Sequence, residues 1–333
     1  MTVVAVTGRK SRHLPALDGI RALAAAVIVL YHARLPSLPG GFLAVDIFFV
    51  LSGFLITRGL LTNLSEGNFS YRQFCLRRLR RLWPALLVFL LVYLITAPLI
   101  FDQLPSGWHL RDVLLTAAYV VNYASIFSQG IAVLGHVWTL AVEMQFYLIW
   151  PVVVILLVRL PERRLALAVL AGFFLLATAS RWWQATPDNL WGFYVRTDAR
   201  ASGLILGALL AFTRIRIAHY WSVAGLLLLA FAMTFYSTHW IPSARYGFTL
   251  AELGAALLIL SQPRWLGGQF WNWLATLSYS WYLWHYYFMK VLQYYDVPWW
   301  HTLWFGGSAG LLAAWLNQRF VERRFYVRGG EKP

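Results

Sequence analysis

Ionisable side chains recur in this chain inside stretches that are otherwise apolar. Arg21 and His32 both lie in LDGIRALAAAVIVLYH (Leu17–His32). Eleven residues of helix make three turns and span about 16 Å, so both side chains fall on one face. Asp46 stands near the start of a second apolar run. His136, Trp138 and Glu143 fall in GHVWTLAVEMQFYLIWP, Arg196, Asp198 and Arg200 in RTDARASGLILGALLA, and His285 in LSYSWYLWHYYF. An ionisable group at the centre of a bilayer costs on the order of 3 kcal/mol, and such groups tend to carry function. Histidine takes and returns a proton near neutral pH. A carboxylate such as Glu143 would orient it or act as base itself. That pairing activates a hydroxyl toward an acyl donor. No serine nucleophile elbow is read in the chain, and Cys75 lies outside the apolar runs. Direct transfer between two bound substrates is therefore expected, rather than a covalent acyl-enzyme.

Composition requires that these groups sit in a membrane. Of 333 residues, 60% are apolar and 12% charged, against about 25% charged in a soluble domain. A soluble globule, a disordered chain and a collagen-like fibre are excluded. The runs are too long and continuous for a transmembrane barrel, which leaves an all-α polytopic bundle. The net charge is +15, and only Lys10, Lys290 and Lys332 are lysines, so arginine carries the excess. No zinc finger, RNP motif or basic helix accompanies it, so no nucleic-acid partner is expected. One cysteine precludes a disulfide within the chain. Asp18 and Arg21 interrupt the first apolar run too early for a cleavable leader. There is no metal-ligand spacing and no phosphate loop.

Ten spans are expected, at 17–35, 41–62, 83–101, 138–158, 165–183, 199–213, 218–237, 246–261, 273–292 and 301–320. The stretch 112–127 is too short and polar, at Asn122 and Ser125, and is read as extracytoplasmic or partly inserted. With that choice Arg9, Lys10 and Arg12, the cluster Arg72, Arg77, Arg78, Arg80 and Arg81, then Arg159, Arg163 and Arg164, Arg214 and Arg216, Arg264, and the tail with Arg319, Arg323, Arg324, Arg328 and Lys332 all fall on one side. The positive-inside rule makes that side, and both termini, cytoplasmic. His32, Asp46, His136, Glu143 and the Arg196–Arg200 group then share a depth in the outer half, as one polar chamber. The cytoplasmic arginines suit phosphate oxygens. A phosphate-bearing donor held there needs an arm long enough to reach His32, and the pantetheine arm of coenzyme A is of that order.

Seven stretches in order then resemble the acyltransferase 3 family of integral membrane acyltransferases. They are Arg21-x10-His32, GGFLAVDIFFVLSGFLIT (Gly40–Thr57), RRLRRLWP (Arg77–Pro84), GHVWTLAVEMQFYLIWP (Gly135–Pro151), RTDARASGLILGALLA (Arg196–Ala211), LSYSWYLWHYYF (Leu277–Phe288) and FVERRF (Phe320–Phe325). Met144 replaces a commonly acidic residue, so only Glu143 is carried over. The resemblance implies an acyl-CoA donor, usually acetyl-CoA, a sugar hydroxyl on a surface or exported glycan as acceptor, and His32 as the catalytic residue aided by Glu143. Arg21, Arg77, Arg78 and Arg81 are expected to hold coenzyme A. Asp46, His136, Trp138, Arg196, Asp198, Arg200 and His285 are expected at the acceptor, although Asp46 also suits holding a helix end, and Arg196, Asp198 and Arg200 an internal salt-bridged network. Some family members carry an extracytoplasmic hydrolase-like domain; this chain is read as a single domain, 1–333, without one. A bacterial inner membrane is the expected location. Acylation of a small molecule such as a macrolide or glycolipid is the alternative among enzymes, and a transporter or flippase the alternative of another class. His13 and Asp18 have the His-x4-Asp spacing of glycerolipid acyltransferases, but the motif stands alone. Gly203 and Gly207 are read as a helix-packing seam.

Overall fold

The computed structural model describes residues 13–127, 131 and 133–325. Arg9, Lys10, Arg12, Arg328 and Lys332, which carry part of the orientation argument, lie outside the described residues. Within them the chain is all-α. Its helices are α1 (Pro15–His32), α2 (Ala44–Ser65), α3 (Tyr71–Ile100), α4 (Ser106–Ala117), α5 (Val121–Phe127), α6 (Trp138–Val158), α7 (Arg163–Gln184), α8 (Leu190–Val195), α9 (Thr197–Thr213), α10 (Trp221–Phe235), α11 (Phe248–Ser261) and α12 (Gln269–Tyr294). The last, α13, runs over 299–325 and contains two π-helical turns, Thr302–Gly306 and Gln318–Glu322. Among the described residues six helices are long and apolar enough to cross a membrane: Pro15–His32, Gly41–Ser65, Tyr71–Ile100, Gly135–Val158, Arg163–Gln184 and Ser243–Ser261. Large apolar side chains also point outward, with Leu99 80% and Trp183 82% exposed. A water-soluble surface of this kind would aggregate, whereas lipid solvates it. The chain is a polytopic membrane-type bundle.

Contacts between the helices fix their directions. Asp46 reaches Arg200, and Gly53 and Gly207 on the same two helices meet Leu204 and Val50, so α2 and α9 run parallel. Ser52 bonds Glu143 and Thr57 bonds Trp150, so α6 runs with them. His32 meets His285 while Gly19 meets Leu266, so α1 and α12 run together. Phe89 packs on His136 and Arg78 on Tyr147, so α3 opposes α6. These registers define two ends of the bundle. One end carries Arg21, Arg78 and Arg81, and the other carries His32, His136 and His285.

The ten expected stretches are all helical, with one informative difference at α3. It begins at Tyr71, twelve residues before the expected span, so the arginine cluster lies within the helix. Ser70 caps the start by accepting from the Gln73 amide at 3.4 Å, and arginine itself favours helix. The stretch 112–127 is also resolved. It forms a hairpin: α4 descends beside α3 from the histidine end, and α5 returns. The carbonyl of Ala117 accepts from the Trp83 indole at 3.4 Å. Tyr119, at φ 57°, turns the chain. Neither arm, at about 18 and 10 Å, reaches across roughly 30 Å of hydrocarbon. Two of its buried polar side chains find protein partners instead. His109 meets Tyr93 at 2.9 Å, and Asn122 donates to Thr197 at 3.0 Å and to the Val195 carbonyl.

The α2–α9 seam is closely packed. A Cβ built on Gly207 would lie 2.0 Å from the Val50 carbonyl oxygen, and one on Gly53 2.0 Å from that of Leu204. Gly59, on the same helix as Gly53, faces open space. Gly207→Ala is expected to cost about 1–3 kcal/mol as overpacking, read as a lower Tm in detergent by tryptophan fluorescence. Gly59→Ala should leave the Tm within error of the parent.

Candidate active site

At the histidine end, α1 terminates at His32 and α12 presents His285 to it. Their Nδ1 and Nε2 atoms lie 2.8 Å apart. The other nitrogen of His285, Nδ1, is 2.7 Å from the Trp281 carbonyl. A carbonyl only accepts, so His285 carries its proton on Nδ1 and its bare Nε2 accepts from Nδ1–H of His32. In the neutral ring this leaves the lone pair on Nε2 of His32 free. The backbone of His285 is itself held in place: a Cβ on Gly310 of α13 would lie 2.6 Å from the His285 Cα. Only glycine permits that approach. His136 sits on the short turn before α6, where Nε2–H donates to the Leu283 carbonyl at 3.2 Å. Its ring stacks on Tyr286 at 4.4 Å, and Tyr286 meets the His32 ring edge at 4.7 Å.

His32 and His136 line a cavity of about 440 Å³, together with Tyr31, Trp138, Tyr194 and Tyr286. A smaller void of about 20 Å³ continues below, bounded by Phe42 and Tyr282. A basic nitrogen beside a concave, aromatic-walled cavity suits proton abstraction from a bound hydroxyl. His285 is fully buried and lines neither space. The structure therefore places it behind His32, away from the acceptor position expected from sequence.

Glu143 does not contact His32 through a hydrogen bond. It lies two turns further along α6 than His136, accepting from Ser52 at 2.6 Å and from Tyr147 at 3.1 Å. In place of the expected Glu143, the partner of His32 is thus a second histidine, and Glu143 belongs to the arginine end. The charges of Arg21 and Arg81 act on it there. Arg78 lies over the rings of Phe74 and Tyr147, at 5.5 and 5.6 Å. Helical periodicity sorts the basic cluster: Phe74, Arg78, Arg81 and Ala85 share the inward face, while Arg77, at the edge of that face, and Arg80, beyond it, are exposed. Of the four arginines expected at coenzyme A, Arg21, Arg78 and Arg81 face one region and Arg77 does not. Arg21 is also 3.4 Å from Asp18, which pairs with the exposed His13 at 2.5 Å. That pair lies at the arginine end, remote from the cavity.

The remaining expected acceptor residues divide. Trp138 lines the cavity. Arg200 and Asp46 do not; they form a buried ion pair at 2.8 Å, with neither side chain more than 1% exposed. Arg200 lies 5.2 and 5.7 Å from the rings of Tyr194 and Trp138, directly behind two cavity walls. A second buried pair, Arg181–Glu252 at 3.1 Å, escaped the sequence reading. Arg196 and Asp198 pair with each other on the surface at 2.5 Å. One correction concerns serine. Gly306–Gly307–Ser308–Ala309–Gly310 spells G-x-S-x-G, but it lies inside α13 with Ser308 exposed, so it forms no strand-to-helix elbow. Sequence reasoning also passed over Arg34, Lys290 and Gln293, which line the cavity; the only available signal was a lysine within a span.

Comparison with known proteins bears on this arrangement. The model of an acyltransferase domain matches residues 14–317. A putative O-acetyltransferase of Staphylococcus aureus strain COL is 31% identical over 362 residues, covering 96% of this chain and 58% of the relative. The peptidoglycan O-acetyltransferase OatA of Listeria monocytogenes is 32% identical, covering 95% and 56%. OatA of S. aureus strain NCTC 8325 is 38% identical over 214 residues, covering 60% and 35%. The chain thus spans little more than half the length of the longest-matching curated relatives. No solved structure matches it. With Arg21, His32 and five further motifs inside a match that spans nearly its whole length, and only Phe320–Phe325 beyond it, the chain belongs to the acyltransferase 3 family.

Proposed function

We propose that the protein is an O-acyltransferase of the bacterial inner membrane, moving an acyl group, most simply acetyl, from acyl-CoA to a sugar hydroxyl on a surface or exported glycan. The observation that carries this reading is the Trp281 carbonyl–His285–His32 chain ending in a free imidazole nitrogen at the cavity. Family membership and the names of its relatives agree with it. Nε2 of His32 takes the proton of the acceptor hydroxyl, and the oxygen attacks the thioester carbonyl. The C–O bond forms, the C–S bond breaks, and the imidazolium returns its proton to the leaving thiolate. His285 is a positioning residue that fixes the tautomer and ring plane of His32.

Arg21, Arg78 and Arg81 would hold the phosphates of the donor. Arg21 stands about 16 Å along α1 from His32, a span that an extended pantetheine arm covers. Glu143, anchored by Ser52 and Tyr147, keeps the arginines from repelling one another when the donor is absent. The topology that fits is ten spans with both ends of the chain cytoplasmic. The alternating helix directions, the returning α4–α5 hairpin and the single-sided arginines support it. The donor then enters from the cytoplasm and the acceptor from outside.

His32→Ala should reduce acetyl transfer from labelled acetyl-CoA by about 10²–10⁴-fold. His285→Ala should lower kcat about 100-fold through misorientation, with the KM for acetyl-CoA unchanged. Wild-type rates in His32→Ala protein that inserts and folds would end the mechanism. Arg78→Gln or Arg81→Gln should raise the KM for acetyl-CoA about 10- to 100-fold, the worth of one charge-assisted hydrogen bond, while Arg77→Gln should not. In a Cys75→Ser background, cysteines placed at Gln103 and Ile131 should both react with an impermeant maleimide from outside; labelling of only one would show that the hairpin crosses.

A further inference from the structure

The two fully buried arginines of the bundle are each matched by a carboxylate. Arg200 has Asp46 at 2.8 Å and Arg181 has Glu252 at 3.1 Å. The cavity at His32 has a different balance, with Arg34 exposed at its wall and Lys290 half-buried in it. Its lining contains two cationic side chains, Arg34 and Lys290, and no carboxylate. Among the described residues neither one is in an ion pair. Lys290 is half-buried on the face of α12 that also presents Tyr286 and Gln293, with its ammonium 5.4 Å from the Tyr286 ring centre. Arg34 follows His32 by two residues and is held in the left-handed region, at φ 63°. That conformation costs a residue with a Cβ about 1–3 kcal/mol, and the turn it makes leaves Arg34 on the cavity wall. Two neighbouring like charges, one of them half out of water, are unfavourable until an anion joins them.

We infer that the acceptor admitted to this cavity is an anionic sugar, whose carboxylate or phosphate is held by Lys290 and Arg34. The inference rests on the acyl-transfer reading and adds the chemical class of the substrate. The geometry also sets a spacing. Lys290 is five residues beyond His285, about 7.5 Å along the helix. The anion and the acylated hydroxyl therefore lie on the same sugar or on adjacent ones. The aromatic rings of Tyr31, Trp138, Tyr194 and Tyr286 offer flat apolar surfaces to the ring faces. A lipid headgroup phosphate has the same chemistry as a glycan phosphate, so the test must separate the two sources.

Glycans from cells expressing the wild-type protein and His32→Ala would be compared by mass spectrometry. The residue that gains acetyl only in the wild type, or its immediate neighbour, should carry a carboxylate or phosphate. That glycan, deacetylated with mild base, would then be returned to purified protein in phosphatidylcholine nanodiscs, either intact or after its acidic groups are amidated or esterified. Neutralising the glycan should raise its KM about tenfold or more for wild type and Lys290→Arg, and little for Lys290→Gln or Arg34→Gln. Acetyl found on a neutral glycan, or a KM indifferent to neutralisation, would overturn the anion site while leaving acyl transfer standing. A Lys290→Gln defect seen in phosphatidylglycerol nanodiscs but absent in phosphatidylcholine would assign the anion to a headgroup and overturn it too. An equal loss of kcat with intact and neutralised glycan would assign Lys290 to the reaction centre instead. No acetyl difference between the two cell lines would overturn the acyl-transfer reading itself, and the anion site with it.

Discussion

Inside this bundle the two fully buried arginines and the histidines of the site each meet a partner from another part of the chain, and that constraint arranges the site. Water is unavailable to pay the desolvation of an isolated charge or ring nitrogen, so each group must bring its partner from another helix. Asp46 on α2 meets Arg200 on α9, and Arg181 on α7 meets Glu252 on α11. These pairs tie four helices together behind the cavity walls. His32 obeys the same rule. Its Nδ1 is satisfied by His285, whose own Nδ1 is satisfied by a main-chain carbonyl one turn back. One end of that chain is anchored in backbone, so the reactive end has one tautomer and one orientation available.

The two ends of α1 answer to different chemistry. Arg21 stands with Arg78, Arg81 and Glu143, where a polyanion would be gripped. His32 stands at an aromatic-walled cavity, where a neutral-ring base is useful. A helix is a rigid spacer, so the separation between grip and reaction point is set by eleven residues of rise. In the proposed mechanism two substrates approach from opposite ends and meet at one nitrogen without either crossing the bundle whole. The α4–α5 hairpin contributes to the same end. It fills the space beside α3 and α6 while returning to the side it came from, and Gln145 of α6 clamps its turn at Tyr119 and Asn122.

Glycine sets how closely these helices approach. Gly207 and Gly53 let α9 and α2 come near enough for Arg200 to reach Asp46 without a long, mobile excursion. Gly310 does the same for α13 against the backbone of His285. The geometry of the histidine pair therefore depends on residues that touch neither ring.

Much of this was legible without coordinates. Hydrophobic run length and arginine placement are local properties, and they were enough to find the helices and the odd character of 112–127. The Arg21–His32 spacing is fixed within one helix, so its meaning survives any packing. What could not be read was which side chain each polar group meets. His32 pairs with a histidine 253 positions away, and Glu143, chosen for it on chemical grounds, lies two turns too deep. Arg77 and Arg78 are neighbours in the chain, yet one is exposed and the other lies over inward-facing rings, a matter of where α3 begins and what it packs against. Arg34 and Lys290 were invisible as a pair because nothing in the chain order joins them. Long-range partnership depends on helix register and rotation, which are settled when the whole bundle closes and every buried polar group must find its match.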